Sequence, residues 1–399
     1  MSTEVSARGE TPTTGTNAKP ATAKSGKDPL LDNAKVVLIV SVVCGHAWSP
    51  LLDDSHTVRA IYLTLYAFHM PAFVMLSGYL SRSYNGRESQ RYRVVSTLIV
   101  PYVVFSLLYG AMRYWTEDEL NPDLLNPFFQ LWFLVALLVW RLTAPIWKLV
   151  RYPVLVALVI SIGASTMDLP GELDLGRLLQ FLPFFVAGLF LKRDHIDALR
   201  RPLPRIALAT GAAAIVWAAF AFGGEVDRHW MYLNDGAKQL GLTFGEAFLM
   251  RIVLLACAVT LIAAFLALMP GKQRWYTALG AATMYPFLLH GFFVKIAEDG
   301  FKLYENDFIN TGTGALTVTA CAITLAALLL SRPIRWLTKP IVEPNLDWLL
   351  KRPLQAAKPR ATPTPTPPPA PHPPTDVNHP RTPTYPDTKD AKETPPPTT

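Results

Sequence analysis

Apolar runs long enough to cross a lipid bilayer recur along most of this chain, and this feature limits its fold more than any other. A bilayer core calls for roughly 20 apolar residues per helix, and only helices or closed barrels can satisfy their backbone groups inside it. Such runs lie near residues 35–52, 58–80, 94–115, 129–148, 152–167, 178–191, 204–223, 246–269, 275–297 and 312–331. With 51% hydrophobic and only 17% charged residues, the expected fold is all-α: a polytopic transmembrane bundle of about ten spans. Pro183 falls in the middle of the sixth run and should kink it.

The loops between these runs alternate in charge. Arg82, Arg87, Arg91 and Arg93 follow the second run, and Arg141, Lys148 and Arg151 surround the fourth and fifth. Lys192, Arg193, Arg200, Arg201 and Arg205 follow the sixth, Lys272 and Arg274 the eighth, and Arg332, Arg335 and Lys339 the tenth. The other loops are acidic or mixed, among them Asp53-Asp54, Glu117 to Asp123, Asp168 to Asp174, Glu225 to Asp235 and Glu298 to Asp307. The positive-inside rule then places both termini in the cytoplasm. The net charge of +7 follows from this bias. The basic residues are spread over separate loops and form no groove for nucleic acid.

Residues 1–29 lack an apolar core and read as a disordered cytoplasmic tail. Residues 341–399 are rich in Pro and Thr and read as a second disordered cytoplasmic tail, with polyproline II stretches. The membrane domain is thus 30–340. Cys44, Cys257 and Cys321 all fall within expected spans, which argues against a disulfide framework or a zinc site, and no metal is expected. Cys44 reads as a packed thiol.

His46 is the residue that points to chemistry. It lies deep in the first span, where an ionisable side chain is costly and marks a functional site by default. Lys35 precedes it by eleven residues, which returns to nearly the same helix face about 16 Å further along the axis. One stripe of one helix would carry a cation at the membrane surface and a titratable base near mid-membrane. His69 reaches a similar depth on the second span, Pro71 opens the backbone ladder there, and Ser77-Gly78 offers a small surface for close approach. Histidines at such depths also bond helices together, and Lys35 also suits an anchor. Asp32 and Asn33 suit caps of the first helix, Trp132 an aromatic belt, and Tyr285 packing.

DNAKVVLIVSVVCGH (Asp32–His46), FHMPAFVMLSGYL (Phe68–Leu80), the basic loop leading to VPY (Val100–Tyr102), LWFLVALL (Leu131–Leu138), FLPFFVAGLFLKR (Phe181–Arg193) and LGAATMYPFLLH (Leu279–His290) follow one another in a characteristic order. In this the chain resembles the membrane-bound acyltransferases of the acyltransferase 3 family, and most closely the fucose 4-O-acetylase-like branch. The resemblance covers about residues 30–340. It implies transfer of an acyl group, usually acetyl from acetyl-CoA, to a hydroxyl of a sugar, glycan, lipid or secondary metabolite. Lys35 and His46 match the family's basic residue and histidine with ten residues between. Many members carry two arginines three apart before the third span; here Arg87 and Arg91 are four apart, and Arg91 and Arg93 two apart.

The resemblance gives these residues roles. Lys35, Arg82, Arg87, Arg91 and Arg93 would neutralise the CoA phosphates, with the arginine forks suited to them. His46 would act as general base on the acceptor hydroxyl, since imidazole titrates near neutral pH; an acetyl-histidine intermediate is the competing mechanism. His69 would act beside His46 or join helices, and His290 would position the acceptor. The implied partners are an acyl-CoA donor, a carbohydrate or other hydroxyl acceptor and the lipid bilayer, with no nucleic acid, in a plasma membrane. A proton-coupled transporter or flippase is the alternative from another class; missing repeats and missing intramembrane carboxylates speak against it.

Overall fold

The computed structural model describes residues 28–117 and 123–346. The two expected tails, apart from their inner edges, and most of the loop from Glu117 to Asp123 lie outside the described residues. Every regular element among those described is helical.

The first helix, α1 (Pro29–Trp48), starts earlier than hydropathy suggests. Asp28 caps it by accepting from the Leu30 amide at 3.1 Å, and Pro29 occupies the first turn, where its missing N–H is harmless. Asp32 and Asn33 are therefore inside the helix and do not cap it. Asn33 instead donates to the carbonyls of Pro270 and Lys272 at 2.8 and 3.0 Å and accepts from Thr277 at 2.6 Å. The next helix, α2 (His56–Leu80), is capped by Ser55 and contains Pro71.

Helix α3 (Glu88–Val94) runs through a wide turn at Val95–Ile99 into α4 (Val100–Glu117). The wide turn precedes Pro101, which cannot donate to the ladder and crowds the preceding carbonyls. Then come α5 (Trp132–Trp147), α6 (Pro153–Thr166), α7 (Leu175–Gln180) and α8 (Leu182–Phe190). Helices α7 and α8 meet at 54° beside Pro183, so the sixth run is bent as expected. The chain continues with α9 (Arg193–Leu199), α10 (Pro202–Phe222), α11 (His229–Tyr232), α12 (Phe244–Leu268), α13 (Met284–Lys295), α14 (Gly312–Leu329) and α15 (Arg332–Val342). Because α15 runs to Val342 and Leu346 is buried, the folded part continues past residue 340.

Seven of these helices are long and apolar enough to cross a membrane, or eight if the bent pair counts as one span. With the bent pair, the shorter helices α6 and α13 account for the remaining expected runs. The fifth run forms only the 14 residues of α6, which ends where Met167 turns extended before Pro170. The ninth run is broken near its start: Thr277–Ala281 forms a 3₁₀ turn and α13 begins only at Met284. The turn is pinned at Gly280, where a side chain would strike the backbone of Asp32.

The loop classes separate as their charges suggest. At one end Arg193 pairs with Asp28, Lys148 donates to the carbonyls of Arg82 and Tyr84 at 2.8 Å each, and Arg200 donates to the Met269 carbonyl at 2.5 Å. At the other end Arg59 donates to the carbonyls of Gly223 and Val226 at 2.8 Å each, Gln239 approaches Asp168, and Tyr304 donates to the Ala47 carbonyl at 2.9 Å. Helices α2 and α8 cross through Gly78 and Gly188, where an added Cβ on either would overlap the other helix's backbone. The small surface expected at Ser77-Gly78 thus serves helix packing.

Candidate active site

The long helix α1 carries both Lys35 and His46, so their spacing of about 16 Å along one helix holds. Beside His46 the fold places a residue from the far end of the chain. His46 Nδ1 lies 2.9 Å from His290 Nε2, and His290 Nδ1 lies 2.6 Å from the carbonyl oxygen of Pro286, one turn earlier on α13. A carbonyl can only accept, so His290 carries its hydrogen on Nδ1. Its Nε2 then accepts, and His46 donates from Nδ1. The Nε2 of His46 is left with a lone pair. His69 follows the same logic: its Nδ1 donates to the Leu65 carbonyl at 2.7 Å, and its Nε2 keeps a lone pair.

His46 and His69 line one cavity of about 320 Å³. Its walls include Tyr62, Tyr66, Trp132 and Arg177, together with Pro127 and Tyr232 from the loops of the acidic end. Arg177 is fixed by Asp174, by the Tyr232 carbonyl and by the face of Trp132 at 5.4 Å. Trp132 stacks on Phe181 at 5.2 Å, so its place is in the cavity wall and not in a membrane belt. Phe129 holds a left-handed backbone, with φ at 51°, and sets its ring 4.5 Å from that of His46. Strain of this kind in a non-glycine residue gathers at functional sites.

The sequence-expected residues divide in two. The structure brings His46, His69 and His290 together, but His290 is 0% exposed behind His46 and does not line the cavity. The sequence suggested that it positions the acceptor; in the fold its Nε2 lies against His46 Nδ1. Lys35 and the arginines lie at the basic-loop end. Lys35 pairs with Asp32 at 2.7 Å. Arg82 is tied down by the carbonyls of Tyr79 and Leu191 and by the Tyr79 ring at 3.5 Å, which makes it a clasp between the ends of α2 and α8. Arg91 donates to the Gly86 carbonyl at 3.0 Å. Arg87, Arg91 and Arg93 are exposed.

Sequence reasoning missed Tyr62, Tyr66, Arg177 and Tyr232. Arg177 carried one signal, an Asp174–Arg177 spacing of three residues beside an apolar run; the tyrosines carried none. Cys44 is buried against Ala322 and Ala326, away from the cavity. Among the described residues no cluster of three His, Cys, Asp or Glu could hold a metal ion.

A bundle of apolar helices enclosing an oriented, unprotonated imidazole nitrogen has the equipment for proton transfer within a membrane. Residues 28–332 match the family described as the acyltransferase domain, acyltransferase 3, and the chain belongs to that family. It is a multi-pass membrane acyltransferase. No curated protein and no solved structure was found to match it.

Proposed function

We propose that this acyltransferase moves an acetyl group from cytoplasmic acetyl-CoA to a hydroxyl of a sugar, glycan or glycosylated small molecule, in the manner of the fucose 4-O-acetylase-like branch. Its membrane would be the plasma membrane, with the basic-loop end cytoplasmic. The observation that carries this reading is the Pro286–His290–His46 relay, which presents the free Nε2 of His46 at a cavity shared with His69.

The donor phosphates would meet Arg87, Arg91 and Arg93 at the basic end, with Lys35 next along the path. The pantetheine arm would run beside α1 towards His46. The acceptor would come from the opposite, acidic end, where aromatic faces and the Arg177 fork suit a sugar ring. As the acceptor oxygen bonds to the thioester carbonyl carbon, its proton passes to His46 Nε2. The imidazolium so formed keeps its Nδ1 hydrogen bond to His290, which in turn is held by the Pro286 carbonyl. When the carbon–sulfur bond breaks, the proton on Nε2 goes to the CoA sulfur. Donor and acceptor are thus converted to the acetyl ester and free CoA with no net proton change.

The deciding experiment is mass spectrometry of surface glycans and small glycosylated products with and without the gene. A difference of one acetyl unit supports the reading and identifies the acceptor. No acetyl difference, with purified protein inert towards acetyl-CoA, removes it.

A further inference from the structure

Arg251 sits inside α12 with 1% of its surface exposed. A guanidinium is permanently charged, and a charge within a membrane is costly unless it is paired. The hydrogen-bond partners of Arg251 among the described residues are nevertheless neutral. Ser161 Oγ lies 3.1 Å from its Nε and 2.6 Å from its Nη2, and Nη2 also donates to the Gln180 carbonyl. That carbonyl stands at the bend between α7 and α8, where Pro183 interrupts the ladder. Ser161 Oγ already donates to it at 2.9 Å. A hydroxyl therefore serves the bend, and a permanent charge exceeds what capping requires.

A second observation concerns the space beside Arg251. Arg251 borders a recess of about 10 Å³, together with Tyr66, Ala67, Pro71 and Met231. That is room for about one oxygen-sized atom. Tyr66 and Met231 are also walls of the cavity that holds His46 and His69. A single water there can bridge Arg251 to the Ala67 carbonyl, which Pro71 deprives of its helical donor. Such a water leaves the charge uncompensated. An anionic oxygen compensates it, and Met231, an unbranched thioether on the four-residue helix α11, is the wall side chain that moves at least cost. Arg177 is less suited to this task because Asp174 already neutralises it.

We infer that Arg251 is the counter-charge for a carboxylate or phosphate oxygen on the acceptor, lodged past Met231 while the acceptor hydroxyl lies at His46. The inference rests on the acyltransferase reading of that cavity and narrows the acceptor to an acidic glycan or glycoside. The same chemistry could instead take a free inorganic anion, so the test separates the two.

The unfolding midpoint of purified full-length protein in detergent is measured at fixed ionic strength with D-glucuronate, D-glucose or chloride. Glucuronate should raise the midpoint more than glucose or chloride does. Arg251→Gln should lose the rise and Arg251→Lys should keep part of it. In acetyl transfer, Arg251→Gln should raise KM for an acidic acceptor about 10- to 100-fold, as the loss of a charge-assisted hydrogen bond implies, and raise KM for a neutral acceptor by a clearly smaller factor. An equal rise with chloride overturns the acceptor assignment in favour of a free-anion site. No anion-dependent rise in protein that still transfers acetyl reduces the recess to a water site and overturns the inference, while the acyltransferase reading stands. If Arg251→Gln does not fold, the wild-type comparison and Arg251→Lys decide.

Discussion

His46 and His290, separated by 244 positions in the chain, meet through one hydrogen bond of 2.9 Å between Nδ1 and Nε2. With His290 Nδ1 committed to the Pro286 carbonyl, that bond leaves His46 Nε2 as an acceptor at the cavity. A base oriented by a second group that is itself held by a third is the arrangement that makes an imidazole a directed proton acceptor. The consequences can be measured.

His46→Ala should abolish acetyl transfer, because general-base catalysis typically contributes about 10²–10⁴-fold. Acetyl-CoA should still bind, since its phosphates would lie at the far end of α1. Turnover and donor titration on the purified variant check both halves. Near-normal turnover in a folded protein would remove the base. An acetyl group trapped on His46 would keep the site and replace direct transfer with a covalent route.

His290→Phe should lower kcat by a smaller factor than His46→Ala and leave KM for acetyl-CoA nearly unchanged. The ring volume is kept, but the acceptor that orients His46 Nδ1 is lost. The pH profile of kcat should change as well, because the protonated form of His46 loses its partner. A variant with wild-type kcat and pH profile would reduce His290 to packing.

Replacing Arg87, Arg91 and Arg93 by Ala should weaken acetyl-CoA binding, by about 1.5–3 kcal/mol per lost charge-assisted contact before compensation. Arg82→Ala should instead loosen the α2–α8 junction, because its guanidinium is committed to the Tyr79 and Leu191 carbonyls. Isothermal titration separates the two, with unfolding midpoints alongside. Unchanged donor affinity in the triple variant would make these arginines topology anchors.

Gly188→Ala should destabilise the fold without touching the chemistry. Its new Cβ would overlap the Met75 carbonyl across the α2–α8 crossing, and overpacking of this kind costs about 1–3 kcal/mol. Thermal unfolding in detergent gives the answer; an unchanged midpoint would show that the two helices can move apart freely.

A cysteine introduced at Arg87 should be protected from an impermeant thiol reagent in intact cells, and one at Asp227 should react. The basis is the segregation of basic and acidic loops to opposite ends. The reverse pattern would invert the orientation and move the donor site to the outer face.

Much of the fold was legible along the chain because hydropathy and loop charge are local properties. Runs of apolar residues gave most of the long helices, and Pro183 gave the bend between α7 and α8. Where the reading failed, a distant contact had intervened. The ninth run lost its first turns because Gly280 packs on Asp32. Asp28 and Pro29 start α1 one turn earlier and leave Asp32 and Asn33 inside the helix. Arg251 stands in the apolar run 246–269, and a cation at that depth is itself a signal in the sequence.

The site divides along the same line. By itself the sequence determined that His46 and Lys35 share a stripe of α1 and that His69 and His290 lie within apolar runs, because helical spacing and hydropathy follow from residue order. Only the tertiary structure decided that His290 stands behind His46, that His69 shares its cavity, and that Tyr62, Tyr66, Trp132 and Arg177 form the walls. The depth and rotation of one helix against another depend on the packing of side chains far apart in the chain, and no local pattern encodes that register.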